Sequence, residues 1–201
     1  MKLFYSPTSP YVRKVLVLAE EAGITGIEHV AAAGTPVAPD AGVIAANPLG
    51  KVPALICDDG RVLYDSRVIC QYLDDLSGRG LYPAGAKRWD VLTVEATADG
   101  ILDAALLMVY EWRIRPEEAR HAPWVEGQWS KIDRALTAVE QDWIDLLSGP
   151  LTMAQIAMGA ALGYLDFRLA ARNWREGRPG LAAWEADFAK RASMQSTVPQ
   201  A

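Results

Sequence analysis

The stretch from Tyr5 to Arg13, YSPTSPYVR, decides the fold of this 201-residue chain. It ends a short apolar run, KLFY at residues 2–5, and begins a segment in which apolar residues recur every three or four positions. This change of period predicts a β-strand followed at once by an amphipathic α-helix. Ser9 is expected at the N-cap of that helix and Pro10 at its first position.

The start of this helix is also the first candidate site. A helix N-terminus presents unpaired backbone N–H groups and the positive end of the helix dipole, which together favour a bound anion. Serine is also a common N-cap in helices that bind nothing. From this stretch alone, Ser9 is therefore either a plain helix cap or a hydrogen-bond donor to an anion.

The composition is that of an ordinary globular protein. Hydrophobic residues make up 51% and charged residues 22% of the sequence, a balance without a disordered tail or a low-complexity block. The net charge of −5 argues against a nucleic-acid partner, because nucleic-acid binding needs a concentrated basic face. We expect a small-molecule substrate instead.

Neither the cysteines nor the apolar segments indicate a metal site or a membrane partner. Cys57 and Cys70 lie thirteen residues apart, without C-x-x-C spacing or a nearby histidine, so we expect two core thiols and no metal. The N-terminal apolar run stops at Ser6 after three residues, which is too short for a signal peptide. The longest later run, 153–165, is too short to cross a bilayer. We therefore expect a cytoplasmic protein.

The first 77 residues predict a small α/β domain. The first two predicted strands are joined by a crossover helix, and the last two by a hairpin at Asp59-Gly60. This order of connections predicts a four-stranded mixed sheet. Strands are expected at residues 2–5, 27–30, 54–57 and 61–64. The final helix of this domain is expected to begin at Asp65-Ser66 and to bury Val68, Ile69, Tyr72, Leu73 and Leu76.

The rest of the chain is interpreted as an all-helical domain, residues 87–201, after a Gly- and Pro-rich linker, residues 78–86. Helical periodicity predicts helices at about 87–113, 124–147, 153–171 and 181–192. The third of these begins with a capping box in which Thr152 is the cap and Gln155 reaches back to it. Its many small residues indicate a central, enclosed helix.

Several motifs, taken in order, resemble those of cytosolic glutathione transferases, and the similarity covers nearly the whole chain. They are SPYV at 9–12, NPLGKVP at 47–53, the pair Asp65-Ser66, TMAQI at 152–156, and Trp184 with Phe188, Arg191 and Ser193. The resemblance is to the bacterial members with a serine in the active site. It implies a thioredoxin-like N-terminal domain, a helical C-terminal domain, a homodimer and a function in detoxification.

The resemblance implies that Ser9 keeps the thiol of reduced glutathione ionised as a thiolate, which is then added to a small hydrophobic electrophile. Ser9 and Val12 stand where a glutaredoxin has its two cysteines, so dithiol redox chemistry by the protein itself is not expected. Ser6 and Thr8 are the alternative hydroxyl groups. Two alternative functions stay open. The protein is either a glutathione-dependent reductase, lyase or isomerase, or it binds glutathione without catalysis.

The same resemblance assigns the residues that hold glutathione. Asp65 and Ser66 are implied to bind the γ-glutamyl group, and the Val52 backbone to pair with the cysteinyl unit, with a cis peptide bond between Val52 and Pro53. An ordinary trans proline at the start of a strand is the alternative. Lys51 either contacts the glycyl carboxylate or is a solvated lysine in a turn.

The electrophile site is the least constrained by pattern. Tyr11, Met108 and Trp112 are candidates for an apolar cleft, although methionine and tryptophan at helical spacing are more often core residues. Gln155 stands where the family usually has an acidic residue. It keeps the hydrogen-bonding function of the cap and weakens the favourable interaction with the helix dipole, which predicts slightly lower stability and no effect on function.

Overall fold

A computed structural model of the chain describes residues 1–200 and contains two compact units. The first unit comprises Met1–Tyr82 together with the described residues from Ala192 onward, and the second comprises Pro83–Arg191. The residues predicted as a linker, 78–86, are divided between the two units after Tyr82. The grouping also differs from the predicted domains at the C-terminal segment. The C-terminal segment, expected to end the helical domain, belongs with the first unit because it packs on that unit's first helix.

The first unit is built on a four-stranded mixed sheet in the order β2-β1-β3-β4, as predicted. Strand β1 runs parallel to β2 and antiparallel to β3, and β3 runs antiparallel to β4. The strands are β1 (Lys2–Tyr5), β2 (Glu28–Ala31), β3 (Ala54–Ile56) and β4 (Val62–Leu63). Leu3 and Leu55 form a cross-strand pair in the sheet and are fully buried.

Within the described residues of this unit, four helices accompany the sheet: α1 (Pro10–Glu21), α2 (Ala41–Ala46), α3 (Ser66–Ser77) and α9 (Ala192–Ser196). Helix α1 packs against both α3 and α9. The prediction for the start of α1 is confirmed, since Ser9 is its N-cap and Pro10 its first residue.

Helix α3 buries fewer apolar residues than predicted. Ile69 and Leu73 are fully buried, but Val68 and Leu76 are 45% and 55% exposed. Residues 68, 72 and 76 form one row along the helix, and this row lies on the side of α3 away from the core formed by Ile69 and Leu73. The prediction that Val68 and Leu76 are buried was therefore wrong.

The second unit is entirely helical. Its helices are α4 (Lys87–Ile114), α5 (Ala122–Asp142), α6 (Ile144–Leu147), α7 (Met153–Leu169) and α8 (Pro179–Phe188), with short 3-10 turns at Glu117–Ala119 and Ala170–Arg172. Helix α4 packs against α5 and α7. The central position predicted for α7 is confirmed, since nearly all of its first thirteen residues are buried.

Two predicted helices are each divided in the structure. The helix expected at 124–147 ends at Asp142, because Trp143 leaves the helical conformation (φ −123°, ψ 1°) before α6 begins. The helix expected at 181–192 begins earlier, with Pro179 in its first turn, and ends at Phe188. Ala192 then begins α9, which belongs to the other unit.

The capping box at the start of α7 is confirmed. Thr152 accepts a hydrogen bond from the backbone N–H of Ala154, and the Gln155 side chain accepts one from the backbone N–H of Thr152 at 2.9 Å. None of the helices within the described residues 1–200 has the length and apolar character needed to cross a membrane.

Candidate functional site

The register of the sheet brings three predicted site segments to the same end of the sheet. Phe4 pairs with Ala54 in antiparallel register, so the end of β1 lies beside the start of β3. Leu55 pairs with Leu63, so the end of β4 lies there as well. Helix α1 follows β1, helix α3 follows β4, and Val52 precedes β3. The N-termini of both helices and the Val52 backbone therefore converge.

Ser9 acts as a helix cap in a way that leaves its hydroxyl proton available. Its Oγ accepts a hydrogen bond from the backbone N–H of Val12 at 3.3 Å, and its carbonyl accepts one from Arg13 at 3.0 Å. A hydroxyl has one donor and two acceptor positions, so the cap uses only an acceptor position. Ser9 is partly exposed. The proton can therefore point at an anion beside the helix start while the cap stays intact.

The two alternative hydroxyls are less available. Ser6 Oγ and Thr8 Oγ1 lie 3.3 Å apart and share a hydrogen bond with each other. Because one of them donates to the other, at most one proton of the pair remains for a ligand. Ser9 is the stronger candidate on this geometry.

The peptide bond between Val52 and Pro53 is cis, which confirms the prediction. The backbone N–H and C=O of Val52 have no hydrogen-bond partner among residues 1–200. Buried backbone groups are nearly always paired in proteins, whereas Val52 is half-buried and both of its backbone groups are unpaired. This residue therefore presents one free donor and one free acceptor next to the first residue of β3.

Asn47 holds this backbone in place and was not among the predicted site residues. Its Nδ2 donates to the Lys51 carbonyl at 2.8 Å, and its Oδ1 accepts from the Leu49 N–H at 3.0 Å. The side chain is buried, with 2% exposure. The composition Asn-Pro-Leu-Gly predicts a turn at these residues. Only the structure shows that the Asn47 side chain holds the segment that carries Val52.

Asp65 and Ser66 lie at the start of α3 and have different environments. Asp65 is the exposed N-cap, and its carboxylate accepts a hydrogen bond from the Arg67 N–H at 3.0 Å. Ser66 is only 2% exposed, and its hydroxyl has no hydrogen-bond partner within residues 1–200. The Tyr64–Asp65 peptide bond is also cis. One carboxylate and one unpaired hydroxyl are thus available at this helix start.

Lys51 is exposed and makes no ion pair with the described part of the chain. This arrangement is compatible both with a ligand contact and with a solvated lysine, so the two interpretations of the sequence remain. Of the residues considered for the electrophile, Met108 is buried and Trp112 is 55% exposed.

Both cysteines are buried free thiols, as the sequence predicted. Across residues 1–200, no group of three or more His, Cys, Asp or Glu side chains is arranged to hold a metal ion.

Family comparison identifies the class of protein to which this fold and site belong. The model of the glutathione S-transferase N-terminal domain matches residues 8–76, and that of the glutathione S-transferase C-terminal domain matches residues 122–187. The chain belongs to the glutathione S-transferase family. The first match spans Ser9, Lys51, Val52, Pro53, Asp65 and Ser66.

Particular relatives extend this similarity over the full length. The chain is 37% identical over 206 residues to the uncharacterized GST-like protein YibF of Escherichia coli (strain K12), covering 99% of this chain and 98% of YibF. It is similar to the crystal structure of a glutathione transferase family member from Pseudomonas fluorescens Pf-5 with bound glutathione. The identity is 47%, the TM-score 0.97, and the coverage 100% of this chain and 99% of that chain.

A further crystal structure of a family member from the same organism contains S-(propanoic acid)-glutathione. Its identity to this chain is 45% and its TM-score 0.93, with coverage of 100% of both chains.

Proposed function

We propose that this protein is a glutathione transferase that ionises the thiol of reduced glutathione and adds it to small hydrophobic electrophiles. The observation that carries the proposal is the free backbone N–H and C=O of Val52, at the sheet end where α1 and α3 begin. A donor and an acceptor on one residue beside a strand can pair with the backbone of an extended peptide, as in strand addition.

The neighbouring groups match the two ends of the tripeptide. The cysteinyl unit would pair with Val52, after the cis bond to Pro53. The γ-glutamyl group carries both an ammonium and a carboxylate. Its ammonium suits the Asp65 carboxylate, and its carboxylate suits the free Ser66 hydroxyl and the N–H groups at the start of α3. Lys51 is exposed and suits the glycyl carboxylate.

Ser9 would then supply the chemistry. A free thiol with a pKa of about 8.5 is only a few per cent thiolate at neutral pH, yet the thiolate is the nucleophile. Lowering the thiol pKa by about two units corresponds to roughly 2.7 kcal/mol of preference for the anion. A charge-assisted hydrogen bond from the Ser9 hydroxyl, together with the N-terminus of α1, has that magnitude.

The relatives support this proposal. One related structure holds glutathione and the other S-(propanoic acid)-glutathione, which is glutathione with a substituent on sulfur. The second is the type of product that the proposed reaction forms.

We also propose a homodimer. Val68 and Leu76 of α3 are exposed apolar side chains on one row of the helix, and such surface is typical of an interface. A cytoplasmic location stays part of the proposal.

The test of the proposed function measures binding and ionisation separately. Calorimetry gives the affinity of the wild-type protein and of the Ser9→Ala variant for glutathione, and ultraviolet absorbance against pH gives the pKa of the bound thiol. We expect similar affinities and a thiol pKa about one to two units higher in Ser9→Ala. Ser6→Ala and Thr8→Ala are the matched hydroxyl controls, for which no change in pKa is expected.

Product identification then separates the reactions. Formation of a thioether from a panel of electrophiles supports conjugation, whereas formation of glutathione disulfide, an elimination product or an isomer indicates a reductase, lyase or isomerase. A protein that does not retain glutathione would contradict the proposal altogether.

A further inference from the structure

Asn47 closes the turn between α2 and β3, residues 47–51, with its side chain and its backbone. Its carbonyl accepts a hydrogen bond from the Gly50 N–H at 2.8 Å, and its Oδ1 accepts one from the Leu49 N–H at 3.0 Å. Its Nδ2 donates to the Lys51 carbonyl at 2.8 Å. One residue therefore fixes the conformation of the whole turn.

The Asn47 side chain has a single orientation in this turn. It is buried, with 2% exposure, and its backbone N–H donates to the Val43 carbonyl at 2.7 Å, which anchors it at the end of α2. The group facing the Leu49 N–H has to be an acceptor, and the group facing the Lys51 carbonyl has to be a donor. The amide therefore cannot exchange its oxygen and nitrogen without losing both hydrogen bonds.

The contact between Asn47 and Lys51 also sets the direction of the neighbouring Val52 N–H. The Lys51–Val52 peptide bond is trans, and in a planar trans peptide the C=O and N–H bonds point in opposite directions. Because Asn47 Nδ2 holds the Lys51 carbonyl, the N–H of the same peptide unit is directed away from Asn47. No group within residues 1–200 accepts a hydrogen bond from this N–H. The donor is thus oriented before any ligand binds.

The Asn47 side chain does more than end α2. The backbone of Asn47 already ends this helix through its hydrogen bond to Val43. The bond from Nδ2 reaches four residues further along the chain, to Lys51, and adds nothing to the helix. A side chain that only terminated α2 would not need this donor.

We propose that Asn47 is a positioning residue for glutathione, which directs the Val52 N–H at the carbonyl of the cysteinyl unit. This inference rests on the proposed function, in which Val52 pairs with that unit, and adds the residue that sets the geometry of the pairing. A donor that is already oriented loses less freedom on binding, so more of the hydrogen-bond energy appears as affinity. Asn47 acts through the Lys51–Val52 peptide and needs no contact of its own with the ligand.

The test compares substitutions at the two ends of α2. Asn47→Asp keeps an oxygen that accepts from the Leu49 N–H, but a carboxylate cannot donate to the Lys51 carbonyl and repels it. Asp40→Ala is the matched control. The Asp40 carboxylate caps the start of α2 by accepting from the Val43 N–H at 3.1 Å and makes no hydrogen bond with the turn 47–51. Both substitutions weaken α2, and only the first releases the Lys51 carbonyl.

Calorimetry measures the affinity for glutathione, and hydrogen exchange followed by NMR measures the protection of the Val52 amide. In the wild-type protein, bound glutathione should slow the exchange of this amide about tenfold or more, because a hydrogen-bonded N–H exchanges more slowly than a free one. In Asn47→Asp we expect this protection to be lost and the affinity to be about five- to tenfold weaker, a usual value for one hydrogen bond. Asp40→Ala should keep the protection and an affinity within about twofold of wild type.

Three results would overturn the inference: no protection of Val52 by glutathione bound to the wild-type protein, an unchanged affinity in Asn47→Asp, or equal losses of affinity in both variants. The first is measured without any variant and so does not depend on whether Asn47→Asp folds. The third would assign Asn47 only to ending α2. Failure of the proposed function is distinguishable, because it would appear as protected Val52 and bound glutathione without thioether formation. A wild-type protein that does not bind glutathione would overturn both.

Discussion

The Arg13 guanidinium of α1 donates a hydrogen bond of 3.0 Å to the backbone carbonyl of Met194 in α9. Arg13 lies one turn after the Ser9 cap, and both it and Met194 are buried. The C-terminal segment therefore supports the helix that begins at the candidate site.

Replacing Arg13 with Gln should lower the free energy of unfolding by roughly 1.5–3 kcal/mol, because the buried Met194 carbonyl loses a charged donor. Urea denaturation followed by circular dichroism measures this change. The control Arg134→Gln removes an exposed arginine from α5 and should have little effect. Equal stabilities of the two variants would contradict the support assigned to Arg13.

Ser66→Ala should weaken glutathione binding without lowering stability. The Ser66 hydroxyl has no partner within the described chain, so its removal leaves no protein group unpaired, while a ligand hydrogen bond worth about 0.5–1.5 kcal/mol is lost. Calorimetry should therefore show a two- to tenfold weaker affinity at an unchanged melting temperature. Ser130→Ala, on the exposed side of α5, is the control. An unchanged affinity in Ser66→Ala would remove this residue from the site.

Gln155→Glu should destabilise the protein by roughly 1–3 kcal/mol, measured by urea denaturation. The Gln155 amide nitrogen donates to the carbonyls of Leu146 at 3.1 Å and Pro150 at 3.0 Å. A carboxylate oxygen in that place cannot donate and would repel both carbonyls. This is the opposite of the effect expected from the sequence, which considered the cap hydrogen bond and the helix dipole but not these two carbonyls. A more stable Gln155→Glu variant would show that the dipole is the larger effect.

The double variant Val68→Glu/Leu76→Glu should be monomeric under conditions in which the wild-type protein is a dimer. Placing two carboxylates in an apolar interface is unfavourable because they lose hydration without gaining a partner. Sedimentation equilibrium measures the mass of each form, and Arg134→Glu introduces a carboxylate elsewhere as the control. A dimeric double variant would rule out the exposed row of α3 as the interface.

Stability should fall in acid partly through Glu126. Its carboxylate accepts two hydrogen bonds from Arg172, at 2.9 Å and 2.5 Å, and these lower its pKa below the ordinary value of 4.5. A carboxyl with a lowered folded pKa stabilises the fold above its unfolded pKa, and this contribution is lost as the pH falls through the folded value. The stability difference between wild type and Glu126→Gln should therefore be larger at pH 7 than near pH 3. A difference independent of pH would show that the pair contributes nothing through ionisation.

Much of the fold could be predicted because the signals are local. Ser9 and Pro10 mark the start of α1 through the hydrogen-bonding needs of a helix end, and Thr152 with Gln155 does the same for α7. The order of strands and helices followed from the spacing of apolar residues along the sequence. The division of the predicted helix at Trp143 could not be predicted, because the apolar pattern continues across the break.

The sequence by itself determined which residue types stand at the helix starts, since a cap depends on neighbours within one turn of the chain. Only the tertiary structure decided which hydrogen-bonding groups remain unpaired and which apolar side chains remain exposed. The unpaired backbone of Val52, the free hydroxyl of Ser66, the exposed row of α3 and the contact between Arg13 and Met194 depend on segments far apart in sequence. Such pairing is set by how the elements pack, and periodicity along one segment carries no information about it.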